Sequence, residues 1–116
     1  MMHIASIVLQ VILGIMFLMS GFMKFGAKQQ VEGFNHYGYP QWFRIVTGIV
    51  EVIGGAAVII GIWYPVIATL AGLWLGITML GALFTHIRVK DPGKIAAPSI
   101  ILLILAVAVA VLNWKL

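Results

Sequence analysis

The stretch TGIVEVIGGAAVIIG, Thr47 to Gly61, sets one carboxylate, Glu51, in a run made almost wholly of aliphatic residues and glycine. Such a run is either the core of a globular domain or a membrane span, and composition decides between the two. The chain has 116 residues, 63% hydrophobic and 9% charged, and its mean hydropathy is +1.14. A soluble domain of this size cannot hide that much apolar surface from water. The expected solvent is therefore lipid.

Outward from Glu51, four apolar stretches stand out: Ile4–Met23, Arg44–Ile62, Val66–Ile87 and Ile95–Leu112. Each is close to the ~20 residues that carry a helix across ~30 Å of hydrocarbon. The pattern predicts an all-α bundle of four transmembrane helices in one domain, residues 1–116. The last stretch contains IILLILAVAVAV, β-like in composition, but only a helix satisfies its own backbone in lipid. The first reads as a retained span and not a cleaved signal peptide, because no basic residues precede it, the run is long and no small-residue cleavage site follows.

Charge sets the expected orientation. Lys24, Lys28, Arg44, Arg88, Lys90 and Lys94 fall in the first and third connections, against Lys115 alone on the other side. The positive-inside rule puts those basic loops in the cytoplasm and both termini outside, in a bacterial-type cell membrane. Trp42 then marks the inner boundary, Trp63, Tyr64 and Trp114 the outer one, and Trp74 falls near mid-membrane. The net charge of +4 is what orientation and anionic headgroups require, so no nucleic-acid partner is expected. The chain has no cysteine, which excludes disulfide exchange and thiolate chemistry. No metal site is expected either: His3, His36 and His86 lack carboxylate or thiol neighbours at ligand spacing, and His3 is placed on the far side.

The first connection, KFGAKQQVEGFNHYGYPQWFR, is long, and amphipathic spacing at Phe25, Val31 and Phe34 predicts a short interfacial helix. Gly38 and Pro40 then turn the chain into the second span. The third connection, RVKDPGK, reads as a plain turn on Pro92 and Gly93 with solvated charges.

Glu51 lies about 10 Å deeper than Arg44 along a helix rising 1.5 Å per residue. A charge near a helix centre costs roughly 2.5 to 3.5 kcal/mol, so it must face protein or a cavity, find a partner, or take a proton. Its stripe is Arg44, Gly48, Glu51, Gly55 and Val58. The first span offers Gln10, Gly14, Phe17, Gly21 and Lys24, and the third Gly72, Gly76, Met79, Leu83 and His86. Small residues beside polar ones invite close helix packing, and Gly72 with Gly76 forms a GxxxG pair. Because Cα–Cβ bonds tilt toward a helix's N-terminus, Lys24 leans back toward the depth of Glu51, which predicts an ion pair; Arg44 is the other candidate partner. Gln10 and Thr78 read as interhelical hydrogen bonds and Trp74 as packing. Each of these has a plain structural reading: Glu51 locking the bundle, His86 satisfied at the interface, Lys24 reaching the headgroups.

Four ordered segments carry a family resemblance: FLMSGFMKF with Gly21 and Lys24, YGYPQWFR, GIVEVIGGAAVIIG with Glu51, and GALFTHIR with Thr85 and His86. Together they resemble the DoxX-like family of small four-helix membrane proteins, over nearly the whole chain. The resemblance implies a membrane subunit supporting quinone-linked oxidoreductase or redox-stress chemistry. Its partners would be the bilayer, a quinone as borrowed cofactor, and a second copy or an oxidoreductase subunit. A quinone headgroup needs a hydrogen-bond donor, a nearby proton acceptor and an apolar cleft. Glu51, His86 and Lys24 are the candidate catalytic residues; Gln10, Gly21, Arg44, Gly48, Gly55, Trp74 and Thr85 are candidates for lining the ligand. Two alternatives stay open. One is a proton-coupled transporter using Glu51, although small multidrug transporters carry their glutamate in the first span. The other is a chaperone or assembly factor without catalysis.

Overall fold

The structure, a computed structural model, describes residues 2–114. It consists of five helices: α1 (Met2–Met23), α2 (Lys28–Tyr37), α3 (Gln41–Ile60), α4 (Pro65–Arg88) and α5 (Gly93–Leu112). No strand occurs among the described residues. Lys115, the cation assigned to the outer side, lies outside them. Three of the helices, α1 over Ile4–Met23, α3 and α4, are long and apolar enough to cross a membrane, whereas the apolar part of α5, Ala96–Leu112, is shorter.

Proline sets the starts of the later helices. Pro40, with extended backbone at φ −67° and ψ 153°, immediately precedes α3, so α3 begins at Gln41 and not at Arg44. Pro65 opens α4, where its missing N–H costs nothing, and Pro92 precedes α5. The fourth proline, Pro98, lies inside α5, where it removes one backbone donor. The expected short helix in the first connection is α2, which buries Phe34; Phe25 precedes it and is not part of its face.

The four long helices pack in the cyclic order α1–α3–α4–α5, with α2 against α3 at the basic end. The tightest seam joins α1 to α3. A Cβ on Gly21 would lie 2.8 Å from the Gly48 carbonyl oxygen, and one on Gly48 would lie 2.8 Å from that of Gly21. Gly14 and Gly55 repeat the relation at 3.0 and 2.9 Å. Both stripes therefore place glycines two turns apart, and the antiparallel helices meet backbone to backbone at both levels. Gly72 makes a similar approach to the Ala106 carbonyl oxygen of α5, at 2.7 Å. Gly76 does not: its nearest neighbour would be Leu103 Cδ1 at 3.8 Å, so the GxxxG pair acts through one member only.

The bundle is apolar outside and mixed within. Leu13, Phe17, Val58, Leu75, Met79 and Val109 belong to the core, but Ser6, Gln10, Glu51, Thr69, Thr85 and Asn113 are buried beside them. Ile4, Ile15, Met19, Phe22, Leu70, Ile77, Phe84, Ile101 and Ile104 face outward. Water would select the reverse arrangement; hydrocarbon selects this one. The long axis measures 42 Å, enough for ~30 Å of hydrocarbon and an interface at each end. Trp42 is exposed at the basic end, and Trp63, Tyr64 and Trp114 at the other.

If the α1–α3 seam is limited by backbone contact, Gly48→Ala should lower stability by about 1–3 kcal/mol through overpacking. Gly76→Ala should leave it unchanged or slightly raised. Thermal unfolding of both variants in micelles checks this, and equal behaviour would show that the seam is not the limiting contact.

Candidate functional site

Two clusters of polar side chains lie inside the bundle. At the end that carries the start of α1, the Ser6 hydroxyl donates to Gln10 Oε1 (2.7 Å), Gln10 Nε2 donates to the Val58 carbonyl (3.0 Å), and Asn113 Nδ2 donates to Ser6 Oγ (2.8 Å). This cluster is closed on itself and joins α1, α3 and α5.

The second cluster opens into a cavity of about 590 Å³. Its deep end holds Glu51, 2% exposed. Glu51 Oε1 accepts from Ser20 Oγ at 2.7 Å and from Lys24 Nζ at 3.0 Å, and Lys24 Nζ also donates to Ser20 Oγ at 3.0 Å. The expected ion pair is therefore present, with Lys24 turned inward and not out to the headgroups. Arg44 does not touch Glu51; it donates to the Lys24 carbonyl and to Gln41 Oε1. That holds the end of α1 against the start of α3.

The other walls come from α2, α3, α4 and α5. Val46 and Val50 of α3, Ile77 and Phe84 of α4 and Leu102 of α5 supply apolar surface, and Pro98 and Ser99 of α5 line it as well. Thr85 faces the cavity and bonds Tyr39 across it: the two hydroxyl oxygens are 2.8 Å apart, and Thr85 Oγ1 donates to the Gly81 carbonyl at 2.9 Å. With its one hydrogen used, Thr85 accepts from Tyr39. Tyr39 is aimed there by the end of α2, where Gly38 (φ +80°) reverses the chain and Tyr39 N donates to the Phe34 carbonyl. A left-handed residue closing a helix in this way suits glycine.

The third connection is not the solvated turn its sequence suggests. Lys90 and Lys94 are exposed, but the Asp91 side chain is only 8% exposed. Its Oδ2 lies 2.7 Å from His86 Nδ1 and its Oδ1 2.9 Å from His36 Nε2. Hydrogen bonds from His86 first, and then from His36, hold its carboxyl below the ordinary 3.8. Arg88 donates to the Tyr37 carbonyl and lies over the Tyr39 ring at 5.2 Å. These contacts fasten α2 over the cavity. Burial, with the Asp91 charge nearby, pushes the Tyr37 hydroxyl above its ordinary 10.0, so it stays a donor at neutral pH. Among the described residues, no group of three His, Asp or Glu side chains is set to hold a metal ion.

Of the candidate site residues named from the sequence, the structure brings Lys24, Glu51, Thr85 and His86 to one cavity; Thr78, expected to bond between helices, donates instead to the Trp74 carbonyl of its own helix at 2.8 Å. Gln10 belongs to the opposite cluster. Gly21, Gly48 and Gly55 form the α1–α3 seam, and Arg44 braces its end. Trp74 is half exposed and ties α4 to α3 by donating to the Val50 carbonyl at 3.1 Å. Sequence reasoning missed Ser20, Tyr37, Tyr39 and Asp91. Ser20 was detectable one helical turn before Lys24; Asp91 depends on a chain reversal that no periodicity announces.

This arrangement defines a small helical protein with an apolar outer surface, polar groups buried beside its apolar core, and a cavity among its helices whose deep end is polar. The chain belongs to the DoxX-like family, which matches residues 8–109. It is 36% identical over 106 residues to the "Uncharacterized protein YdgD" of Bacillus subtilis (strain 168), covering 90% of this chain and 93% of that protein. It is 31% identical over 91 residues to the "Putative oxidoreductase CatD" of the same organism, covering 78% of this chain and 64% of CatD. No solved structure matches the chain.

Removing one partner of a buried pair leaves an uncompensated charge, so Lys24→Met should destabilise the protein by about 3–5 kcal/mol. Adding Glu51→Leu should restore much of the loss. Equilibrium unfolding of the single and double variants in mixed micelles would show strict additivity if the two groups were uncoupled. For Asp91 the folded value is depressed, so its contribution is present above the ordinary carboxylate value and lost as pH falls through the folded one. The Tm difference between wild type and Asp91→Asn should therefore shrink as pH drops below about 4. A difference that stays constant through that range would remove Asp91 from the ties that hold α2.

Proposed function

We propose that this chain is a four-span integral membrane protein that binds a quinone headgroup in the α3–α4 cavity and supports quinone-linked redox chemistry with a partner. The fourth span is α5, made long enough by Gly93–Ile95 at the interface. Both termini face outward and the basic loops face the cytoplasm, as the cation asymmetry requires. The reading rests chiefly on the inventory of free hydrogen-bonding groups around the cavity. Lys24 uses two of its three N–H groups on Ser20 and Glu51, and the Tyr37 hydroxyl has no partner among the described residues. These are two donors for a carbonyl oxygen. Glu51 Oε2 has no partner among them either, although no buried side-chain oxygen or nitrogen there is left unpaired, so it opens to the cavity as an acceptor.

The cavity also suits the group in charge and size. The Lys24–Glu51 pair leaves the deep end neutral overall, which fits an uncharged ring. About 590 Å³ lies within the ~300–1,000 Å³ typical of small-molecule sites. Ile77 and Phe84 line the cavity and are also exposed on the outer surface, giving an apolar tail a way out to lipid between α3 and α4. A bound quinone supplies two-electron, two-proton chemistry. The chain's own residues orient it, exclude water and hold protons, while the electrons come from a partner, since no side chain here carries them. The oxidoreductase in the name of CatD is consistent with this reading.

Titration of a short-chain ubiquinone analogue into the protein in nanodiscs tests it. Tyr37→Phe and Glu51→Gln should each weaken binding about tenfold, the loss of one good hydrogen bond. Trp63→Ala, at the far end, should not. Equal affinity in wild type and Tyr37→Phe, together with unchanged binding in Glu51→Gln, would overturn the assignment.

A further inference from the structure

The end of α4 does more than stop a helix. Lys90 N donates to the Ile87 carbonyl at 3.1 Å and Asp91 N to the His86 carbonyl at 2.9 Å, with Lys90 in the left-handed region at φ +61°. This paired closure folds the chain back over the last helical turn. It sets Asp91 Oδ2 against His86 Nδ1 at 2.7 Å. An ionised carboxylate only accepts, so Nδ1 carries the hydrogen, and the neutral ring then presents a lone pair at Nε2. His86 lines the cavity, and its Nε2 has no partner among the described residues. No buried unpaired side-chain nitrogen occurs among them, so Nε2 is open. The Tyr37 ring meets the imidazole edge-on, with centroids 5.6 Å apart, and limits its rotation.

We propose that Asp91 and His86 form a proton-accepting dyad serving the cavity, with Asp91 as a positioning residue that fixes the tautomer and His86 Nε2 as the acceptor for a ligand hydroxyl. The inference rests on the quinone reading, because the reduced form of such a headgroup carries hydroxyls. On transfer the O–H bond breaks and Nε2–H forms. The electron pair stays on the ligand oxygen, and the imidazolium is met by the Asp91 carboxylate. His36 bonds the other Asp91 oxygen and is largely exposed, so it ties α2 to the dyad without entering the cavity.

The test has two readouts. In histidine-¹⁵N-labelled protein at about pH 8, where imidazole is neutral, the His86 signals, assigned with His86→Gln, should show Nδ1–H and a bare Nε2. Asp91→Ala should shift the ring toward Nε2–H, and Asp91→Asn serves if the alanine variant folds poorly. A wild-type ring already protonated at Nε2 overturns the dyad whatever the ligand results. With short-chain quinol and quinone as probes, Asp91→Ala should weaken the quinol about tenfold and the quinone less than about twofold. Equal losses for the two also overturn it. If neither probe binds wild type, the quinone reading fails alone and the tautomer decides the dyad.

Discussion

Where α1 and α3 cross, their backbones touch at Gly21 and Gly48 and again at Gly14 and Gly55, and the rest of the bundle depends on that contact. In lipid no hydrophobic force presses helices together, so close van der Waals packing and interhelical hydrogen bonds must do so. Glycine permits the approach; the approach permits the chemistry. Only helices this close let side chains as short as Ser20 and Glu51 meet at 2.7 Å. Lys24 follows from one turn further along. The seam therefore settles how a carboxylate survives in the middle of an apolar bundle: its neighbours arrive with the backbone that carries them.

The cavity belongs to the opposite side of Glu51, where α3 faces α4 without a glycine seam. Near Gly54 the two helices are held by Leu75 and Trp74, but toward the basic end nothing lies within contact of the position a Cβ would take on Gly81. Into that gap project groups from the other elements: Ser20 from α1 and Lys24 just after it, Tyr37 from α2, Thr85 and His86 from α4, Ser99 from α5. The two helix-ending turns at Gly38 and Lys90 work as a pair, one aiming Tyr39 at Thr85 and the other aiming Asp91 at His86. A site assembled from five helices in so short a chain uses connections as fully as spans.

Much of this was legible in the sequence, for a physical reason. A helix in lipid with one face against its neighbours shows that face as a period, so the stripes through Gly21 and Gly48, the depth of Glu51 and the inward lean of Lys24 all followed from spacing. Phe34 and Gly38 likewise announced α2 and its end. Groups placed by a reversal of the chain left no such trace. Asp91 reads as one more charge in a polar turn until Lys90 takes a positive φ, and no spacing shows that Gly38 turns Tyr39 toward Thr85. Gly76 shows the converse: its spacing from Gly72 was right, and the neighbouring helix does not come close enough to use it. Gln10 makes the interhelical hydrogen bond its sequence suggested, to Val58 of α3, but does so in a cluster at the far end and not in the cavity.

That far cluster bears on how the protein is made. Ser6 is in α1, yet the amide that donates to it belongs to Asn113, at the end of α5 and 107 residues later. The α1–α3 seam can form once α3 has been made, but the ring of four long helices stays open along α1 until α5 follows. During that interval the inner face of α1, with Ser6 on it, lacks the partner that α5 brings. The helix made last among the four long ones is thus the one that closes the ring against α1.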